Sequence, residues 1–266
     1  MLPRPHWHEM TTVDFETPAT RDWIAVLPVA AIEQHGPHLP VFTDTAIAEG
    51  QVRRVIDLLP ASLPATFLPV QAIGKSNEHI SSPGTLTLSW DTVTKAWIEI
   101  GESVARAGIR KLVLINAHGG NVPIIDIVAR ELRVSHDMMV TATNWARFGQ
   151  PEGVFPEEEF SYGIHGGDIE TSLMLHLHPD LVRMDLAEDF ASAQQSFVQE
   201  FRHLRGHGPA QFGWKAQDLN PRGALGNAAR ATAEKGRLSL DHAARGFIEL
   251  LKDIHAFDLN RLWEPR

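Results

Sequence analysis

The chain has 266 residues, 43% of them hydrophobic, enough to bury a sizeable core, and a single domain over 1–266 is the expectation. A formal net charge of −9 opposes a generic nucleic-acid or anionic-membrane surface, which leaves a small molecule or another copy of the chain as the expected partner. Cysteine is absent, so disulfides, thiolate nucleophiles and cysteine-based zinc sites are excluded, and His and carboxylate groups are the available side-chain ligands.

The first residues lack the basic-then-apolar run of a signal peptide and no apolar stretch approaches a membrane span, so a cytoplasmic location is expected. Residues 23–32 form a short apolar run that ends in polar, ligand-type residues, as a buried strand feeding an active-site loop does. Pro28 is awkward inside it and implies an interruption, a bulge or a strand start, because proline cannot donate to a ladder. Thr43-Asp44 opens a helical pattern in which Ile47, Val52, Val55, Ile56 and Leu59 form a stripe before Pro60. A second strand is expected over 65–70. Ser89 then caps a helix carrying Val93, Ala96, Trp97, Ile100 and Val104, with Gly108 just past its end.

Residues 111–116 are the clearest buried strand. Gly119-Gly120 permits a tight turn into a helix over 122–134, and 138–143 supplies another strand. Further helices are expected over 166–178, stopped by Pro179, and over about 238–257. Within 185–227, residues 194–204 have a helical pattern and 206–227 read as an extended surface or subunit-contact loop. Alternating strands and helices predict an α/β fold whose parallel sheet is covered on both faces. Ligands gather at the carboxyl ends of such strands, where Glu33, His35, His118 and Asn144-Trp145 fall.

Glu33 and His35 are two apart, so in an extended segment they share one side and Gln34 points away. The rigid Gly36-Pro37-His38-Leu39-Pro40 loop returns the chain to Asp44, which is either a third ligand or a cap at its helix start. His118 follows a buried strand, and the glycines after it allow a metal or substrate to approach the backbone; no Lys-Ser/Thr pair completes a phosphate loop. Glu170 aligns with Leu173, Met174 and Leu177, so it points inward, where a carboxylate needs a cation or hydrogen bonds. His165 precedes that helix and is placed to move protons. Two imidazoles and three carboxylates from separate points of the chain are the raw material of a divalent-metal hydrolase site. Ser76, Glu78 and His79, in a Gly/Ser loop, together with Trp145 and the sole tyrosine, Tyr162, are candidate substrate contacts.

Four segments together resemble the creatininase (creatinine amidohydrolase) family: 33–44, 74–79 with 82–85, Asn116-Ala117-His118-Gly119-Gly120-Asn121, and 165–172. The resemblance implies a three-layer α/β/α sandwich with a mainly parallel central sheet, two divalent ions per subunit (zinc, manganese or iron), and water-driven cleavage of a C–N bond. It also implies a homo-oligomer, a hexamer. By that resemblance Glu33, His35, Asp44 as a bridge and His118 bind metal, and His165 transfers protons. The chain departs from true creatinine hydrolases after the fourth ligand, where they resemble His-Tyr-Glu and this sequence has His118-Gly119-Gly120. Glu170 is the candidate replacement for the missing carboxylate, as ligand and catalytic group. The His-Gly-Gly-Asn form is similar to the wider family, which includes a formylamine-pyrimidine deformylase and a peptidase that trims the mycofactocin precursor. The expected activity is hydrolysis of a cyclic amide or formamide of a small molecule. Creatinine ring opening, peptidase action of the mycofactocin type and an inactive metal-binding protein are the alternatives.

Overall fold

Four parallel strands form the central sheet of the computed structural model, which describes residues 2–262. They are β1 (Ile24–Val29), β2 (Ala65–Phe67), β3 (Lys111–Asn116) and β4 (Met139–Asn144), in the spatial order β2-β1-β3-β4. The two central strands are buried along their whole length, which is why they read as continuous apolar runs rather than alternating ones. Their side chains still alternate between two faces. Ala25, Leu27, Val29, Leu112 and Leu114 pack beneath helices α2 (Trp90–Arg106) and α3 (Val122–His136) through Val93, Trp97, Val104, Val128 and Leu132. Ile24, Val26, Val113 and Ile115 meet Val52 and Val55 of α1 (Thr43–Leu58) and Phe247 and Leu251 of α6 (Ala233–Ala256). The result is the three-layer α/β/α arrangement, held by apolar burial on both faces of one sheet.

Pro28 neither interrupts β1 nor starts it: the residue sits inside the strand, paired with Ile115. Its carbonyl accepts from Gln71 on the β2 side, so its missing N–H faces that same side, beyond the point at which β2 ends at Phe67. No ladder bond is lost. The strand expected over 65–70 is correspondingly shorter, and only an isolated bridge from Val29 to Gln71 continues the pairing.

Ser89 occupies the N-cap position of α2, but its hydroxyl bonds to the side chains of Asp91 and Thr92 instead of a backbone N–H. At the opposite end of the sheet, the buried Lys111 at the start of β3 donates to the carbonyls of Ile254, His255 and Phe257 at 2.7, 2.9 and 2.9 Å. A lysine from a strand thereby closes the carboxyl end of α6, where orphan carbonyls and the helix dipole favour a cation.

Two further helices reach the carboxyl ends of the strands: α4 (Glu157–Tyr162) and α5 (Asp168–Leu177), the latter packed on α1 and α6 through Ile47, Leu173, Met174 and Leu240. The region 206–227 is not simply a surface loop. Ala216, Leu219, Ala224 and Leu225 are buried, and β6 (Gly226–Asn227) pairs antiparallel with β5 (Asp189–Phe190). Its apolar residues are sparse and irregularly spaced, so sequence periodicity does not register their burial. Among the described residues no helix is long and apolar enough to cross a membrane.

Candidate metal centre

Each polar group of the centre is delivered by an element end. The chain leaves β1 into Glu33 and His35, leaves β3 into His118, and enters α1 and α5 with Asp44 and Glu170 in their first turns. Asp44 does not cap its helix; Phe42 is the N-cap residue, which leaves the carboxylate free to turn inward. Glu33, His35, Asp44 and His118 are all buried.

Asp44 faces two imidazoles, with Oδ1 3.2 Å from His35 Nε2 and Oδ2 3.2 Å from His118 Nδ1. Glu33 Oε2 lies 3.1 Å from the same His118 nitrogen, and Glu170 Oε2 lies 3.7 Å from His35 Nε2. Donor atoms of Glu33, His35 and Asp44 lie within 4.8 Å of one another, as do those of His35, His165 and Glu170 and those of Glu33, His79 and His165. The five residues expected to ligate metal are therefore brought together.

Backbone partners assign the tautomers. His35 Nδ1 is 3.0 Å from the Glu33 carbonyl and His118 Nε2 is 2.9 Å from the Lys75 carbonyl, and a carbonyl only accepts. In each ring the hydrogen thus sits on the far nitrogen, and the lone pair is aimed at carboxylate oxygens. Two lone pairs facing each other across about 3.2 Å in a buried site repel unless a cation lies between them. Glu33 Oε1, His35 Nε2 and Asp44 Oδ2 are buried without a hydrogen-bond partner, which is how a metal-binding donor set looks before its ion is counted.

The electrostatics agree. Burial alone disfavours a charged His35, yet Asp44, with Glu170 and Glu33 behind it, pushes its pKa up to about 10. Burial likewise opposes charge on His118, but Glu33 and Asp44 hold it well above the usual range. Asp44 is held well below the carboxylate range by His35 and His118 against the cost of its burial. Glu170 is pushed up to about 7, first by burial and then by the charge of Asp44, with His35 opposing. Metal ions displace protons from such imidazoles, so this same appetite for positive charge is an appetite for divalent cations.

His165 belongs to the centre through its ring contacts. Its ring lies 4.0 Å from that of His35 and 4.3 Å from that of His79. Its Nε2–H donates to the Gln34 carbonyl at 2.6 Å, which leaves Nδ1 bare, 3.5 Å from Glu33 Oε1. Burial, and then the neighbouring His35 and His79, hold His165 neutral, well below its ordinary pKa.

Sequence reading did not anticipate Gln34. Its side chain is buried behind His79 and His165 instead of pointing away from every candidate donor, and its amide donates to His79 Nδ1 at 2.7 Å and to the Gly223 carbonyl at 2.9 Å. Asn116 and Asn121 are two more unforeseen supports. Asn116 Oδ1 accepts from the His118 N–H at 3.1 Å, while Asn121 joins the Ala30 carbonyl at 3.0 Å to the Lys75 N–H at 2.9 Å. Both lie inside the 116–121 motif, so the signal was present, but their partners were not visible.

Among the five candidate substrate contacts, Trp145 lines a cavity of about 490 Å³ that opens from His118 and Glu170 between Ile47, Phe160 and Leu173. Ser76 Oγ instead donates to Glu33 Oε2, His79 Nε2 lies 3.4 Å from Glu33 Oε1, and Glu78 approaches His118 and Lys75. None of those three lines the cavity. Tyr162 is half-buried in α4 and does not line it either, although its neighbours Phe160 and Gly163 do.

The glycines after His118 differ from each other. A Cβ on Gly120 would meet His118 Nε2 and the Lys75 carbonyl, each at 2.5 Å, and overlap Glu78, whereas one on Gly119 would meet nothing within 4 Å. The backbone course that aims His118 thus leaves no room for the side chain at 120 and leaves open space at 119.

Known proteins are similar to this chain over most of its length. The creatininase (creatinine amidohydrolase) family model matches residues 8–251. The chain is 32% identical over 258 residues to the creatinine amidohydrolase of Pseudomonas putida, covering 92% of this chain and 95% of that protein. It is also 32% identical over 249 residues to the mycofactocin precursor peptide peptidase of Mycobacterium ulcerans, covering 91% and 87%. A solved creatininase variant of the Zn-Zn type is similar in structure with a TM-score of 0.74 at 28% identity, over 93% of this chain and 97% of that one. With a divalent-metal donor set at the ends of its strands, the chain belongs to the creatininase family of metal-dependent amidohydrolases.

Proposed function

We propose that the protein hydrolyses a non-peptide C–N bond, in a cyclic amide or formamide of a small molecule, at a pair of divalent ions. The observation that carries the reading is the double engagement of Asp44, whose two oxygens face His35 on one side and His118 on the other. Glu33 and His118 would hold one ion, His35 and Glu170 the other, with Asp44 shared. Zinc and manganese are the favoured metals, since related creatininase structures are of the Zn-Zn and Mn types. Such a pair supplies a water acidified toward neutrality and a Lewis acid for the amide carbonyl. The protein's own part is to move protons and exclude water. His165, neutral and with Nδ1 bare, accepts a proton on the side of Glu33 and delivers it to the departing nitrogen, while Gln34 holds the ring in that tautomer. Trp145, Phe160, Ile164 and Leu173 give the cavity an apolar wall for the rest of the substrate.

A second reading, cleavage in a small peptide, is favoured by the open space at Gly119 and by the equal 32% identity to the mycofactocin precursor peptide peptidase. Creatinine itself is expected to be a poor substrate, because neither glycine provides the aromatic wall expected after the fourth ligand of a creatinine hydrolase.

Elemental analysis of protein purified without chelator, combined with a screen of cyclic amides, formamides and short peptides, tests the proposal. More than one equivalent of divalent metal per chain and turnover of a cyclic amide or formamide are expected. Full activity with one equivalent or none overturns the two-ion reading, and a kcat/KM on creatinine on the order of 10⁴ M⁻¹s⁻¹ or more overturns the substrate reading.

A further inference from the structure

Glu159 is a buried carboxylate that the reaction described above does not use. It lies in α4, lines the cavity, and forms no ion pair among the described residues; the nearby Lys235 instead pairs with Asp168 at 2.6 Å. Burial pushes its pKa up to about 7, with Asp168 and Glu170 adding to the rise. Keeping such a group without a counter-ion is costly unless its oxygens are well bonded.

The backbone supplies those bonds. Oε1 accepts from the N–H of Ile169 at 3.1 Å, the residue next to Glu170. Oε2 lies close against Gly226 of β6, where the neighbouring Asn227 backbone favours the charged form. The glycines on either side of His165 close the seat: a Cβ on Gly163 or Gly167 would overlap the carboxylate, and one on Gly226 would lie 3.0 Å from Oε2. The same loop is fastened on its other edge, where the Leu225 N–H donates to the His165 carbonyl at 2.7 Å.

We propose that Glu159 is a positioning residue, whose carboxylate sets the 163–167 loop that carries His165 and the first turn of α5 that carries Glu170. The inference rests on the metal-centre reading for the roles of those two residues. It needs no contact between Glu159 and substrate or metal. A carboxylate bonded to Ile169 and seated against Gly226 couples α5 to β6, so the distance from Glu170 to His35 and the packing of the His165 ring on His35 are set together. Removing the carboxylate leaves the Ile169 N–H without its acceptor beside the centre.

The test uses Glu159→Ala and Glu159→Gln in the full chain. Zn²⁺ affinity is read by competition with a chromophoric chelator, and amide exchange of segment 163–170 is read in metal-free protein. Supports of this kind are worth roughly 10–100-fold in metal affinity, and Glu159→Ala is expected to lose that much and to exchange faster across 163–170 while distant strands stay protected. Glu159→Gln keeps one acceptor and is expected to lose less of both. A folded Glu159→Ala with wild-type affinity and wild-type exchange overturns the proposal. Should the alanine variant not fold, wild-type values of both in Glu159→Gln overturn it equally. Because exchange is measured without metal, a wild-type chain that bound no Zn²⁺ would sink the metal-centre reading and still leave the exchange result to decide what Glu159 holds.

Discussion

His35 Nε2 and Asp44 Oδ1 lie 3.2 Å apart, with both side chains buried and the imidazole hydrogen on the opposite nitrogen, bonded to the Glu33 carbonyl. A lone pair facing a carboxylate in a dry interior is stable only with a proton or a metal between them. Both alternatives are open to experiment, because they respond differently to removal of the carboxylate.

Asp44→Ala is expected to lower bound metal more than His165→Ala does. Asp44 faces both His35 and His118, whereas His165 donates to a backbone carbonyl and is held neutral. Metal content by elemental analysis after gel filtration checks the contrast. If His165→Ala strips the metal and Asp44→Ala retains it, the assignments are reversed.

Glycine substitutions after His118 should divide cleanly. Gly119→Ala meets open space and is expected to change stability by less than about 0.5 kcal/mol. Gly120→Ala drives a methyl against the Lys75 carbonyl, which is backbone and cannot swing aside, and is expected to cost about 1–3 kcal/mol as overpacking does. Urea midpoints of the two variants measure the difference, and equal midpoints would refute it.

Lys111→Met retains the length and apolar stem of the side chain but leaves the three carbonyls at the end of α6 without their shared donor. A loss of about 1–3 kcal/mol is expected, the usual cost of stranding a buried hydrogen-bonding group. Faster amide exchange in the last turns of α6, measured alongside the urea midpoint, distinguishes a lost cap from a general loosening of β3.

His38 gives a pH dependence with a definite sign. Burial pushes its pKa from 6.5 down to about 4, and the charge of His35 adds to the fall, while the Gly166 backbone opposes it. Thr171 and Phe190 pack on the ring without offering it a negative charge. The unfolded chain therefore takes up the proton first as pH falls, so the stability associated with a neutral His38 is complete above 6.5 and is lost as pH drops toward 4. In metal-free protein, the stability advantage of wild type over His38→Asn is expected to shrink between pH 7.5 and pH 4. Parallel pH curves for the two proteins would show that His38 does not titrate across this window.

Much of this protein could be read from local pattern. The apolar runs at 24–29 and 111–116 announce the central strands, because a strand buried on both faces is hydrophobic throughout. Glu33, His35, Asp44, His118 and Glu170 were recognisable because each follows a strand or opens a helix, where a polar residue among apolar neighbours has few structural reasons to be. Pro28 misled because its effect depends on where β2 stops, which is a property of the neighbouring strand.

What only the tertiary structure decided are the relations between distant segments. Gln34 reaches the Gly223 carbonyl, Asn121 reaches Ala30 and Lys75, and Glu159 accepts from Ile169 beside glycines whose role lies in the side chain they admit. Tautomers, orphaned lone pairs and the facing of Asp44 toward both His35 and His118 follow from the same assembly, since a hydrogen bond's partner is chosen by folding, whereas the capacity to form one belongs to the residue. The sequence by itself determined which chemical groups are present and which elements carry them. Packing of α1, α5 and the β1 and β3 loops onto one end of the sheet decided which of those groups face each other, because separations of a few ångströms are set by the whole core and by no single segment.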